Sequence, residues 1–388
     1  MLIDRLDQHI QHFNEHDLER DAFMLKGKLA SEGYDWWWHS FTGRNVQTGE
    51  EKPFFVEFFT INPELAQDEP VLGQLPANKE AGKKPSYVMV KAGCWGEGKC
   101  QLHRFFAWKD VVIHQEAPFS VRADDCMCSE TSLFGSISIS DEEAEEHPEW
   151  MCDAGSMTWN LKVDKKIAFN VGLGASRPMR DADAFQMYWH AEGMKTEYSG
   201  EVTINGEKYL VTPETCYGYA DKNWGSDFTS PWVWLSSNNL YSKITGEQLK
   251  NSVFDIGGGR PKVFNVALDR RLLGVMYHEG EDFDFNFSKV LLDVKTRFEF
   301  SETEEEVFWH VTQENLHAVM ATKIRCRKKD MLFVNYEAPN GEKRYSRLWN
   351  GGNGEGEILL YRRNGRALDL IDEIMATHVG CEYGEYDA

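Results

Sequence analysis

Along most of this chain, apolar and aromatic residues recur with a period of two rather than with a helical period. From Gly33 onward, YDWWWHSF, KPFFVEFFTI, PSYVMVKA, CQLHRFFAW and APFSVRA are short and rich in aromatic and β-branched residues. Gly, Pro, Asn and charged clusters separate them, and such segments read as strands. SGEVTINGEKYLV at 199–211 predicts a hairpin. Val202 and Ile204 alternate against Tyr209 and Val211 across Asn205-Gly206, a pair suited to a type I′ turn. The rhythm returns in TRFEFSETEEEVFWHV, KIRCRKKDMLFVNYE and EGEILLYRR.

Helical spacing is confined to the ends. Leu6, Ile10 and Phe13, then Ala22, Leu25 and Leu29, predict a helical extension over 1–30, and ALDLIDEIMATHV predicts a short helix at 367–379. Residues 62–86 read as a long polar loop, and DEEAEEHPEW at 141–150 as a solvated acidic connection. The pattern predicts an all-β, mainly antiparallel chain, folded as one barrel or a pair. Trp-His recurs at Trp38-His39, Trp189-His190 and Trp309-His310, which fits a duplicated β unit without establishing one.

At 388 residues the chain suits two domains or one large β unit. Thirteen tryptophans and 13% aromatic residues supply a core and an aromatic-lined cavity besides. A formal net charge of −21 sets the chain against phosphate backbones and anionic membranes, so no nucleic-acid partner is expected. The charged N-terminus has no apolar core of a signal peptide, and no run reaches the roughly 20 residues of a membrane span. The eight cysteines are scattered, and neither Cys126-x-Cys128 nor the Cys94–Cys100 spacing matches a strong zinc site. Free thiols in a reducing cytoplasm are the expectation. His9, His12 and His16 fall along one helical side, as metal ligands or as part of a solvated helix face; no metal is expected.

G-x-S-x-G, Walker A, H-E-x-x-H and dinucleotide-binding fingerprints are missing from the sequence. An enzyme here is expected to need no cofactor, which leaves acid–base chemistry on an apolar substrate. A carboxylate sunk among aromatics is desolvated, and its pKa rises toward the range of a general acid. Asp221, in GYADKNWG with Tyr219, Asn223 and Trp224, fits that description; the pattern alone also fits, and favours, a turn cap. Glu57, in PFFVEFFTI, has apolar residues on both strand faces. It is either a pocket acid or a core carboxylate paired with Arg104 or Lys91. In WWWHSF, Trp36 and Trp38 face one side and Trp37 and His39 the other. Asp255 and His278 are further polar members of aromatic strands.

The progression WHAEG…GEVTING…GYADKNWG, closed by EGEILLYRR…HVGCEYGE, resembles the lipocalin-like superfamily of tocopherol cyclases, carotenoid 1,2-hydratases and fungal decalin-forming cyclases. The resemblance implies two tandem lipocalin-like β-barrels, at 31–200 and 201–388, with a ligand in an aromatic cavity near their junction. It also implies that Asp221 protonates an alkene or supports ring closure, with Asn223 and Trp224 beside it. The expected catalytic residues are then Asp221, Glu57 and His39. Trp37, Trp38, Tyr219, Asn223, Trp224, Asp255 and His278 are expected to bind substrate. Two function classes follow: a hydratase, cyclase or isomerase of prenyl, polyene or polyphenolic molecules, and a non-catalytic carrier of an apolar ligand. The oligomeric state is open.

Overall fold

The structure, a computed structural model, describes residues 18–169, 177–263, 266–287 and 293–385. Its strands belong almost entirely to two large antiparallel sheets. In the first, β1 (Tyr34–Asn45), β2 (Glu51–Ile61), β3 (Tyr87–Cys94) and β4 (Cys100–Phe106) form one meander. A second meander holds β5 (Val111–His114), β6 (Ser120–Ala123), β7 (Cys126–Ser129) and β8 (Ser132–Ile139). The long β9 (Gly155–Phe169) and β10 (Met187–Ile204) continue it. β11 (Glu207–Val211) and β12 (Gly218–Gly225) pair with both β10 and β1 and so join the two meanders. β4 also packs against β8 and β9, which curls the sheet into a barrel.

The second sheet begins after Gly225. β13 (Trp232–Ser237), β14 (Asn239–Ser242), β15 (Gln248–Leu249) and β16 (Val253–Gly259) open it. A separate two-stranded ribbon follows, β17 (Lys262–Val263) with β18 (Val266–Ala267). Then come β19 (Arg271–His278), β20 (Glu281–Asp284), β21 (Lys295–Glu302), β22 (Glu306–Glu314), β23 (Ala318–Arg327) and β24 (Leu332–Glu337). The last two strands, β25 (Lys343–Asn364) and β26 (Ala367–Gly384), form the backbone of this sheet, with β13 on the far side of β26. Both hairpin residues Asn205 and Gly206 have positive φ, as the turn between β10 and β11 requires.

The predicted C-terminal helix is instead β26. Its Leu and Ile residues carry helical spacing, but the segment pairs with β25 along most of its length, and Ile374 and Ala376 alternate inward against exposed Met375. Tertiary pairing overrides local propensity here. The N-terminal helical prediction also fails over its described part. Only Leu18–Asp21 and Leu29–Glu32 are helical, because Phe23 and Leu25 are drawn into the first barrel's core and Asp35 accepts from the Met24 amide at 2.8 Å. Leu6, His9, Ile10, His12, Phe13 and His16 lie outside the described residues. Within the acidic connection, Asp141–Glu146 is a short helix with a Ser140–Glu143 capping box.

Among the described residues, the three largest apolar clusters follow from strand alternation. Trp37, Phe54, Phe58, Val90 and Trp159 fill the first barrel, and Phe254, Trp309, Met320 and Ile358 fill the second. A third cluster lies between the sheets and draws Trp36, Trp38, Phe55, Trp95 and Trp189 from the first, and Trp232, Trp234, Leu332 and Tyr336 from the second. The three Trp-His pairs are not equivalent in space, since Trp38 and Trp189 face this junction whereas Trp309 faces a barrel interior.

Candidate active site

Residues directly opposed on neighbouring antiparallel strands project from the same face. Across β12, β1, β2, β3 and β4 the register therefore puts Asp221, Trp38, Glu57, Lys91 and His103 in one row on the outer face of the first barrel. Across β13, β26, β25 and β24 a second row runs Trp234, Glu382, Asn350 and Leu332. Asp255 sits opposite Ser236 on the same face. Hydrogen bonds tie the rows together: Tyr336 Oη donates to Glu57 Oε2 (3.3 Å), Trp95 Nε1 to Asn350 Oδ1 (2.7 Å) and Trp234 Nε1 to Tyr219 Oη (3.2 Å).

The tryptophans reach across because glycines make room. A β-carbon on Gly380 would lie 2.2 Å from the Trp234 ring, and one on Gly352 2.4 Å from that of Trp95. Gly380→Ala is expected to destabilise the protein by about 1–3 kcal/mol, because a rigid indole must shift in a packed junction. Thermal unfolding reads this directly, and an unchanged melting temperature would mean that the junction is looser than its packing indicates.

Asp221 lies mid-strand in β12 and is buried. Its Oδ2 accepts from Trp189 Nε1 (2.9 Å) and Tyr219 Oη (3.1 Å), while Oδ1 has no partner. No backbone amide and no cation among the described residues is bound to it, so Asp221 is not a turn cap. Burial raises its pKa to about 7; the Trp189 and Tyr219 donors oppose that rise, and the negative charges of Glu382 and Glu57 add to it. When protonated, it carries the proton on Oδ1, since Oδ2 already accepts two hydrogen bonds.

Three further carboxyls surround it. Asp255 is raised well above the usual carboxylate range, by burial first and by the Asp221 charge second. It lies near Tyr219 and Trp234, whose polar hydrogens go to Asp221 and to the Tyr219 oxygen, so neither Asp255 oxygen closes a hydrogen bond. Glu382 accepts from Trp232 Nε1 and Asn350 Nδ2, and burial raises it to about 7 against those donors. Among the described residues, Glu57 is the only one of the four paired with a cation: Lys91 Nζ lies 2.6 Å from Oε2 and 4.2 Å from the centre of the Tyr336 ring. Burial raises Glu57, and Lys91 opposes it. Arg104 instead meets Asp124 and Asp125 at the surface. With one lysine among four buried acids, like-charge repulsion keeps protons on part of the set.

The structure thus brings Asp221, Glu57, Asp255, Trp38 and Tyr219 together. Asn223 shares their face and accepts from Tyr34 Oη at 2.8 Å. Trp37 stacks with Phe119 inside the first barrel, and Trp224 stacks on Tyr188 on the opposite face of β12. His39 also points inward, with Nδ1 2.8 Å from Tyr198 Oη; burial, then the Lys165 charge, lower it to about 3. His278 approaches Asp372 on the other side of β19, away from the junction. Sequence reasoning did not single out Glu382, Asn350, Trp232 or Tyr336. Glu382 stands in the terminal HVGCEYGE stretch, beyond a segment with helical spacing.

One other cluster has metal-ligand chemistry. Carboxylate oxygens of Asp21, Glu130 and Glu192 lie within 4.8 Å of one another inside the first barrel. Lys165 Nζ occupies that space, 3.3, 3.1 and 2.6 Å from them, so an ammonium already supplies the cation.

No curated protein matches this sequence. Among solved structures, the fold is similar to CghA with Sch210972, at 10% identity over 92% of this chain and 90% of that one, with a TM-score of 0.45. It is similar also to kievitone hydratase from Nectria haematococca, at 13% identity over 97% of each chain and a TM-score of 0.42. A sequence profile of the tocopherol cyclase-like family matches residues 136–385, a span that contains Asp221, Asp255 and Glu382 and covers well over half of the chain. On that match, the chain belongs to the tocopherol cyclase-like family.

Proposed function

We propose that this protein is a cofactor-independent acid–base enzyme, a hydratase, cyclase or isomerase of an apolar prenyl, polyene or polyphenolic molecule bound at the junction. Asp221 is the proton donor. The observation that carries this reading is the state of that carboxyl: buried among aromatics, without a cation, raised to about 7, and with Oδ1 unpartnered. A carboxylic acid kept partly neutral near pH 7 can protonate an alkene carbon, where an exposed aspartate would be ionised. The resulting carbocation faces indole and phenol rings, whose negative faces stabilise positive charge. Water or an internal hydroxyl then adds to the cation, and the proton released by that oxygen returns to Asp221.

Membership of the tocopherol cyclase-like family supports a cyclase- or hydratase-type activity. The test is to incubate the wild type and Asp221→Asn with a lipophilic extract of the host and follow both by mass spectrometry. The wild type is expected to convert a compound to an isomer, or to a product heavier by one water, and the variant to leave it unchanged. A compound retained unaltered by both proteins would make the chain a carrier.

A further inference from the structure

The turn between β3 and β4 has a cysteine at each end, Cys94-Trp95-Gly96-Glu97-Gly98-Lys99-Cys100, and the register sets Cys94 directly opposite Cys100. Opposed residues of an antiparallel pair have α-carbons about 4.5–5.5 Å apart, inside the roughly 4.4–6.8 Å that a disulfide spans. Their β-carbons need to close by only about an ångström. Both side chains lie on the interior face of the first barrel, away from the acid row, and both thiols are free.

The surroundings favour reaction. Cys94 is fully buried, whereas Cys100 keeps 6% of its surface open, beneath a turn exposed at Glu97, Gly98 and Lys99. The Cys100 thiol hydrogen-bonds to the Cys94 sulfur. That bond, helped by the Lys52 charge and opposed by burial, lowers Cys94 below the usual thiol range, and the same bond raises Cys100. Lys52 Nζ is held at the turn by the Glu97 carbonyl oxygen, at 2.6 Å. While both groups are neutral, Cys94 donates to the Gly98 carbonyl oxygen at 3.5 Å. One proton thus leaves the pair readily and the other is shared between the sulfurs, which gives the more open Cys100 thiolate character as well.

We propose that Cys94 and Cys100 form a reversible redox site, which a peroxide oxidises to a disulfide across the turn. A sulfur of the deprotonated pair attacks one peroxide oxygen and the O–O bond breaks. The expelled hydroxide takes up the proton that the pair released, leaving a sulfenic acid and water. The second sulfur then attacks the sulfenic sulfur and the S–S bond forms. Its thiol proton leaves with the displaced hydroxide as a second water. A small dithiol reverses the reaction by exchange. The disulfide ties the base of a turn that meets the second sheet, where the Gly96 amide donates to the Asp330 carbonyl oxygen at 3.0 Å and Trp95 reaches Asn350. Oxidation therefore fixes the support of Trp95 without touching the buried acids, and the inference does not depend on Asp221 being an acid catalyst.

The test exposes the folded, reduced protein to hydrogen peroxide, alkylates the remaining thiols in denaturant and digests the chain with trypsin. Cleavage after Lys91, Lys99 and Arg104 puts the cysteines in separate peptides, 92–99 and 100–104. These are expected to appear joined, lighter than their sum by the thiol hydrogens, in protein that runs as a single chain on a denaturing gel without reductant. Dithiothreitol should part them again. Recovery of the two peptides separately alkylated, or carrying sulfinic acid, would overturn the proposal. So would the joining of other cysteines in their place, or a link between two chains.

Discussion

Replacing Asp221 by Asn is expected to lower turnover by about a hundredfold or more while ligand affinity changes little. The substitution keeps the shape of the side chain, and the amide oxygen can still accept from Trp189 and Tyr219. Only the titratable proton disappears. In the wild type, activity should fall as pH rises through about 7, because the protonated donor is lost there. Stability follows the same group. Its folded pKa is raised, so the folded state holds a proton that the unfolded chain releases near 3.8. The stabilisation is full below pH 3.8 and is lost as pH rises through about 7. That interval corresponds to on the order of 4 kcal/mol. Asn223 and the other neighbours are untouched, so the variant should gain stability relative to the wild type as pH rises from 3.8 to about 7. A variant with full turnover and no such gain would remove Asp221 from the chemistry.

Lys91→Met should be the most destabilising single change at the site, at roughly 3–5 kcal/mol. Lys91 and Glu57 are both fully buried and 2.6 Å apart, and no other cation is paired with Glu57 among the described residues. Methionine fills much of the lysine's volume, so the loss is electrostatic and leaves Glu57 to take up a proton or remain as an uncompensated charge. Glu57→Gln in the same chain removes that charge, and the double variant should recover most of the stability. Urea unfolding of the four proteins closes the cycle. If Lys91→Met alone is as stable as the wild type, Glu57 is already protonated in the native protein.

The strands, the Asn205-Gly206 hairpin and the burial of a carboxyl among the aromatics of GYADKNWG were legible because each rests on local chemistry. Trp37 was expected to bind substrate and His39 to be catalytic, and where their side chains point was not recoverable from alternation. Alternation separates Trp36 and Trp38 from Trp37 and His39, but both faces of β1 are buried, so the pattern does not reveal which one meets the second sheet. Glu382 was hidden for a different reason. Its strand carries good helix formers at helical spacing, and only pairing with β25 and β13 holds it extended. Lys91 was one of two cations in reach of Glu57 by sequence, and the register of β2 against β3 selects it over Arg104.

Because the barrel cups are filled and the chemistry we propose sits on their outer walls, successive residues of one strand answer to separate demands. In β1, Trp37 packs inside the first barrel and Trp38 faces the junction; in β12, Lys222 meets Asp35 inside while Asp221 and Asn223 look outward. An engineer could therefore harden this protein by repacking one set of alternate positions and retune its selectivity with the other. A single-residue deletion within β2 would exchange the two sets, carrying Glu57 into the greasy cup and its neighbours out to the wall.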